Sequence, residues 1–320
     1  MDKVLSDKGQ NRKMRILVTG VCGQLGYDVV MESLKRGYAV VGSDILPSLK
    51  GVKEQDEVPF SFVQMDITDS DSVFSTISSL YPDVIVHCAA WTAVDDAEDE
   101  ANKKKVYSIN AIGTESIAKV AKFLGAKMMY ISTDYVFDGK GNRPWQPDDK
   151  CYKPLNVYGQ SKLDGELAVS SLLDKYFIVR IAWVFGLNGK NFIKTMISVG
   201  KTHDSVRVVN DQIGTPTYTR DLARLLIDMI ETEKYGYYHA TNSESEPNGY
   251  ISWYDLCVEA YKQYGLDTKV IPVSTTEYGI SKAKRPFNSR LEKSKLVKAG
   301  FTPLPMWQDA VRRYLKEAKL

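Results

Sequence analysis

"RILVTGVCGQLG", residues 15–26, is the stretch on which the fold turns. A short apolar, β-branched run from Arg15 to Thr19 stops at Gly20, and from Leu25 to Leu34 apolar residues recur at helical spacing. The order is strand, glycine turn, helix. Gly20, Gly23 and Gly26 span the junction. Glycine lets backbone approach a pyrophosphate closely, and a helix N-terminus offers free N–H groups and the positive end of its dipole. A glycine trio also makes a plain tight turn. Its place at the first βα junction of a βαβ unit favours dinucleotide binding.

Outward from that turn, strands and helices alternate. "YAVVGSD" (38–44) and "FSFVQMD" (60–66) read as strands, the second followed by a helix through Val73, Ile77 and Leu80. "PDVIVHCAA" (82–90) is nearly all apolar, as a parallel strand buried on both faces requires. A helix over roughly 101–124, the strand "AKMMYIST" (126–133), a helix holding Tyr158 and the strand "YFIVRIAWVF" (176–185) follow. This predicts an α/β fold with a doubly wound parallel sheet, the Rossmann arrangement. Past residue 183 the pattern loosens into short strands ("SVRVVN", "YGYYHAT", "TKVIPV") and helices near 219–231 and 252–264, which suits a smaller C-terminal α/β substrate lobe. The expected division is a polar tail at 1–13, a dinucleotide-binding domain at 14–182 with about 215–237, and a substrate domain at 183–214 and 238–320.

Composition narrows the function classes. Of 320 residues, 43% are hydrophobic and 26% charged, with a net charge of +2, so neither nucleic acid nor an anionic membrane is an implied partner. No apolar run reaches the roughly 18 residues of a membrane span. The first thirteen residues lack the apolar core of a secretory signal, and a cytoplasmic location is expected. Cys22, Cys88, Cys151 and Cys257 are scattered and read as reduced packing residues. His87, His203 and His239 lack ligand spacing. No metal site is expected.

Asp44 closes the second strand about 20 residues after the turn, where a carboxylate can take the adenosine ribose hydroxyls and favour NAD over NADP. Lys50 is the nearest base. Asp66 ends the third strand and serves either the adenine side or the cap of the next helix. Within "PLNVYGQSKLDGE" (154–166), Tyr158 and Lys162 fall on one helix face. Tyrosine ordinarily titrates near 10, and a neighbouring ammonium lowers that value, which suits proton exchange with an alcohol or ketone oxygen. Ser132 and Thr133 end a parallel strand where open α/β sheets bind ligands, and Asn110 lies on the preceding helix.

These parts, in this order, resemble the extended short-chain dehydrogenases/reductases, and within them the dTDP-4-dehydrorhamnose reductases. The blocks that carry the likeness are "CAAWTAVDDAE" (88–98), "STDYVFDG" (132–139), "PLNVYGQSKLDGE" (154–166), "AWVFG" with "GKNF" (182–192), "VVNDQIGTPT" (208–217) and "KRPFNSRL" (284–291). The resemblance implies reduction, by NADPH or NADH, of the C4 ketone of dTDP-6-deoxy-L-lyxo-4-hexulose (dTDP-4-dehydro-6-deoxy-L-mannose) to dTDP-L-rhamnose. It makes Tyr158 the proton donor, Lys162 the holder of the nicotinamide ribose and Thr133 the group polarising the carbonyl. It lays the coenzyme along Gly20, Gly23, Gln24, Leu25, Gly26, Asp44, Asp66, Ile67, Ala89, Ala90 and Asn110. The substrate falls to Thr92, Val94, Thr133, Trp183, Gln212 and Arg285, the last as one candidate among the arginines at 285–290 for the diphosphate. His87 and Cys88 depart from the asparagine and alanine that members often carry, which should alter packing beside the coenzyme. The acidic run Asp95, Asp96, Glu98, Asp99 and Glu100 reads as a solvated helix N-terminus rather than a metal site. A homodimer is left open.

Two rivals remain. Sugar-nucleotide dehydratases of this superfamily place an Asp-Glu pair after the threonine, whereas Asp134 and Tyr135 follow Thr133 here; an epimerase or another reductase stays open. A non-catalytic NADP-binding regulatory subunit, like the β subunit of methionine adenosyltransferase, also resembles the family but lacks a block such as Thr92 to Val94.

Overall fold

The computed structural model describes residues 12–49, 60–244, 246 and 249–320. Most of the tail and Lys50 lie outside the described residues. Arg12, at the start of the described chain, pairs with Asp83 at 2.8 Å.

Seven parallel strands form the large sheet. β1 (Arg15–Thr19), β2 (Ala39–Asp44), β3 (Ser61–Gln64), β4 (Val84–His87), β5 (Lys127–Thr133) and β6 (Tyr176–Ile181) are joined by a seventh strand, Gly236–His239. The spatial order is seventh, β6, β5, β4, β1, β2, β3, so the direction of winding reverses beside β1. The seventh strand pairs with β6, and the boundary expected at 237/238 falls inside it.

Side-chain alternation explains why both faces are covered. Ile16, Val18, Val84 and Val86 face helices α1 (Gln24–Lys35) and α7 (Thr219–Ile230), packing on Val29, Val30, Leu222 and Leu226. Leu17 and Ile85, one position along, face α2 (Ser70–Leu80) and α4 (Thr114–Leu124) on the other side. Each such aliphatic side chain is fully buried, a gain of about 1.5–3 kcal/mol apiece against exposure. A separate cluster of Phe185, Ile193, Ile197, Val208, Leu256, Tyr261, Trp307 and Tyr314 packs α6 (Phe192–Gly200), α8 (Trp253–Tyr264) and the C-terminal helix Trp307–Ala318 into the second core. A short parallel pair, Ser205–Val209 with Lys269–Val273, belongs to this part of the chain.

Two stretches differ from the sequence reading. The helix expected over 101–124 is α3 (Glu100–Tyr107) and α4 joined by a π-turn at Ser108–Gly113. The wider turn accommodates Asn110 pointing inward. The strand expected over 176–185 breaks after Ile181, because Trp183 takes a left-handed backbone (φ 52°) before a short strand at Val184–Phe185. α5 (Val157–Leu172) carries the Tyr-x-x-x-Lys pair.

Candidate active site

A cavity of about 920 Å³ opens along the carboxyl ends of the sheet strands, where β1 and β4 part company in direction of winding. Its floor is the glycine turn. Gly20 has φ 72°, and a Cβ there would stand 2.6 Å from Ala89 N, so only glycine lets the turn close on the end of β4. Asp44 stands at the rim, its carboxylate accepting from Cys22 N (3.0 Å) and Leu46 N (3.2 Å). Asp66 accepts from Thr68 N at 2.9 Å, while the cap of α2 is Asp69, whose carboxylate accepts from Asp71 N and Ser72 N. Gln24 turns sideways: its amide donates to Lys190 O (3.3 Å) and accepts from Asn191 Nδ2 (3.1 Å), tying the glycine turn to the loop before α6.

Tyr158, Lys162 and Thr133 all line this cavity, and Thr133 is hydrogen-bonded to Tyr158. Asn156 caps α5, its Oδ1 accepting from Gly159 N (2.8 Å) while its Nδ2 donates to Lys284 O (2.8 Å). Glu98 accepts from Val157 N (2.8 Å), holding the same helix end. The Tyr135 ring meets that of Tyr158 edge-on at 5.6 Å. The lowering expected from the Lys162 ammonium is not found: burial raises the Tyr158 hydroxyl above its ordinary value, opposed by a hydrogen bond with Thr133 and reinforced by the charge of Asp134. Burial pushes the Lys162 ammonium below its ordinary value, with the charge of Glu166 acting the other way. Its Nζ lies 4.1 Å from the ring centre of Tyr130. Asp134, buried beside Thr133, is raised to about 6 by loss of solvent.

His87 and Cys88 set the packing behind the coenzyme face. His87 Nδ1 lies 2.7 Å from Thr19 Oγ1 and Nε2 lies 3.1 Å from Thr114 Oγ1, so both nitrogens are engaged. Burial drives the imidazole down to about 3 and the Cys88 thiol up to about 12, leaving both neutral.

Of the residues expected from sequence, Gly20, Gly23, Gln24, Leu25, Gly26, Asp44, Asp66, Ile67, Ala89 and Ala90 line the cavity on one side. Thr92, Val94, Thr133, Tyr158, Lys162, Trp183 and Arg285 line it on the other. Asn110 and Gln212 are not brought to it. Asn110 lies one layer behind, bonded to Trp91 N (2.8 Å), Trp91 O (3.1 Å) and Ser161 Oγ (3.0 Å). Gln212 is buried and donates to Thr275 Oγ1 at 3.0 Å. Arg285 reaches the cavity in the grip of Asp95, through two bonds of 2.7 and 3.1 Å. Asp99 pairs with Lys282 at 2.9 Å. With Glu98 on Val157 N, three of the five carboxylates expected to be solvated are instead fastened to other segments. Among the described residues no three His, Cys, Asp or Glu side chains converge as metal ligands.

The cavity also takes in residues not singled out from sequence: Tyr135, Lys190, Phe192 and Trp253. Trp253 stacks on Trp183 with ring centres 4.0 Å apart and planes at 21°, and Phe192 leans on it at 4.7 Å. Nothing local marks Trp253, since it comes 70 positions after its partner; its neighbours Ser252 and Asp255 spell only a capping box.

A parallel sheet in this order, with a glycine turn under its reversal point and a Tyr-x-x-x-Lys helix beside it, defines an NAD(P)-binding reductase of the extended short-chain dehydrogenase/reductase class. The chain belongs to the RmlD substrate binding domain family, which it matches over residues 14–320, and is a sugar-nucleotide reductase of that family. It is 37% identical over 303 residues to the spore coat polysaccharide biosynthesis protein SpsK of Bacillus subtilis (strain 168), covering 95% of this chain and 97% of that protein. To a dTDP-4-dehydrorhamnose reductase of Aggregatibacter actinomycetemcomitans it is 38% identical over 312 residues, covering 93% and 97%. A crystal structure of dTDP-4-dehydrorhamnose reductase from Bacillus anthracis str. Ames, in complex with NADP, superposes with a TM-score of 0.84 at 37% identity, covering 96% of this chain and all of that one.

Proposed function

We propose that the protein reduces the C4 ketone of dTDP-4-dehydro-6-deoxy-L-mannose, giving dTDP-L-rhamnose. The observation that carries this reading is one cavity lined both by the glycine turn and by Lys162, Thr133 and Tyr158, the last two hydrogen-bonded to each other. NADH or NADPH, when bound, supplies the hydride. The residues present fit such a group: the turn closes tightly enough to offer backbone N–H groups, and Asp44 stands where an adenosine ribose would end. Gly20, Gly23, Leu25 and Gly26 would hold the pyrophosphate side, Ile67, Ala89 and Ala90 the flank, and Lys162 the nicotinamide ribose.

Tyr158 donates its phenolic proton to the ketone oxygen as charge develops there, and Thr133 donates a second hydrogen bond to the same oxygen. Tyr158 is protonated across the neutral range, the form a proton donor needs, although burial makes it a weaker acid than a free tyrosine. Trp183 and Trp253 offer an aromatic wall to the apolar face of a deoxysugar, with Thr92 and Val94 across from it. The Asp44 carboxylate, repelling a 2′-phosphate, favours NADH.

The test is oxidation of NADH with the dTDP-4-keto sugar generated in situ. Turnover is expected for the wild type, with a fall in kcat of at least about a hundredfold for Tyr158→Phe, the usual worth of a positioned proton donor. Absence of turnover on this ketone with turnover on another nucleotide sugar would move the substrate. Undiminished activity of Tyr158→Phe would remove the tyrosine from its role.

A further inference from the structure

We propose that Tyr130 is a positioning residue for Lys162, its ring face seating the lysine ammonium and aiming it into the cavity before the coenzyme arrives. The proposal rests on the reading of Lys162 as the coenzyme-ribose residue.

Tyr130 sits on β5 with its side chain toward α5, fully buried. Its hydroxyl donates to Lys162 O at 3.2 Å and lies 3.4 Å from Asn110 O, so the phenol is pinned to the helix turn that carries the lysine. The ring also stacks against His87 at 5.8 Å and 26°. α5 comes this close because residue 165 is glycine; a Cβ there would collide with the Tyr130 hydroxyl. Over the ring so fixed stands Lys162 Nζ, 4.1 Å from the centre, within the range where an ammonium is attracted by an aromatic quadrupole.

Few other groups face that ammonium. Among the described residues its Nζ makes no hydrogen bond. From β4, His87 is neutral, and Cys88 just after it is a neutral thiol. On α5 itself Tyr158 keeps its proton. Glu166, one turn along, is the anion that acts on it, and both Glu166 oxygens are already bonded to Arg180 of β6, at 2.7 and 2.8 Å. The π face is therefore the protein partner left to an ammonium that lies on the cavity lining. The quadrupole attracts the cation and not the neutral amine, so it opposes the downward pull of burial on Lys162.

The probe is NADH binding followed by its fluorescence from pH 6 to 10, with thermal melts to establish folding, in wild type, Tyr130→Phe, Tyr130→Leu and Tyr130→Met. The ring is kept in the first variant and lost in the other two. Affinity should fall as the free protein's Lys162 loses its proton, with the break for wild type above pH 8. Tyr130→Phe should keep that break. Tyr130→Leu and Tyr130→Met should move it down by about one pH unit and weaken NADH about tenfold at pH 8. A wild-type break near 7 would overturn the proposal without recourse to any variant. So would a folded Leu or Met variant with the wild-type break, or a Phe variant displaced as far as they are. If wild type binds neither NADH nor NADPH at any pH, it is the coenzyme reading that falls, an outcome distinct from the others.

Discussion

At the scale of single residues, charge placed at the two ends of the cavity makes separate demands. Among the described residues the Asp44 carboxylate accepts hydrogen bonds from backbone N–H groups, so Asp44→Asn retains an acceptor for Cys22 N while removing the charge. The ratio of kcat/KM for NADH to that for NADPH should fall about tenfold, the worth of roughly one screened unit charge at close range. Asp134 acts on stability instead. Its carboxyl holds its proton more tightly folded than unfolded, with a native value of about 6. Its contribution is present in full below pH 4 and is lost as pH rises through 6. Asp134→Asn should therefore raise the melting temperature at pH 8, by the equivalent of about 2–3 kcal/mol, and leave it nearly unchanged at pH 4. A melting temperature raised equally at both pH values would show that the buried charge is not the cause.

At the scale of elements, the N-terminus of α5 is where the site is assembled. Asn156 closes the helix and at the same time catches Lys284 O, so one side chain joins the catalytic helix to the 282–285 segment. Asn156→Ala should cost about 1–2 kcal/mol in urea unfolding and lower kcat more than it raises KM for NADH, because the first turn carries Tyr158. A loss of stability with kcat intact would mean that Glu98 alone holds the turn. The elements themselves were largely legible in the sequence. Alternating apolar strands and the glycine turn located β1 to β6 and α1, since burial on both faces leaves a continuous apolar run that little else mimics. The π-turn at Ser108–Gly113 was not, because it has the apolar spacing of the helices on either side; what reveals it is Asn110 facing inward, a tertiary fact. The break at Trp183 escaped for a similar reason, since nothing in "IAWVFG" signals a left-handed residue where glycine would be usual.

At the scale of the molecule, β6 and α5 are locked together by a buried ion pair. Arg180 on β6 and Glu166 on α5 have fully buried side chains, and Arg180 also donates to Tyr152 and to Pro147 O. Glu166→Gln leaves the guanidinium without its counter-charge and should destabilise the fold by about 3–5 kcal/mol, measured by chemical unfolding, whereas replacing both partners with apolar residues should cost much less. Equal losses in the single and double variants would show that the hydrogen bonds to Tyr152 and Pro147 matter more than the charge pairing. The reach of such long connections also explains which site residues the sequence concealed. Gly20, Tyr158 and Lys162 sit in patterns whose spacing is itself the signal. Lys190, Phe192 and Trp253 arrive from the second core and acquire meaning only when it folds against the cavity.

The stacked indoles of Trp183 and Trp253 have one further consequence. Two identical chromophores 4.0 Å apart cannot absorb independently: their transitions couple and split, and any twist between the two transition dipoles turns the splitting into paired circular-dichroism bands of opposite sign. The protein thus carries its own optical gauge in the lining of the cavity. A ligand that wedges between the rings or tilts one of them would erase or invert that pair of bands, so occupancy of the sugar side can be watched without a label and apart from the coenzyme's absorbance.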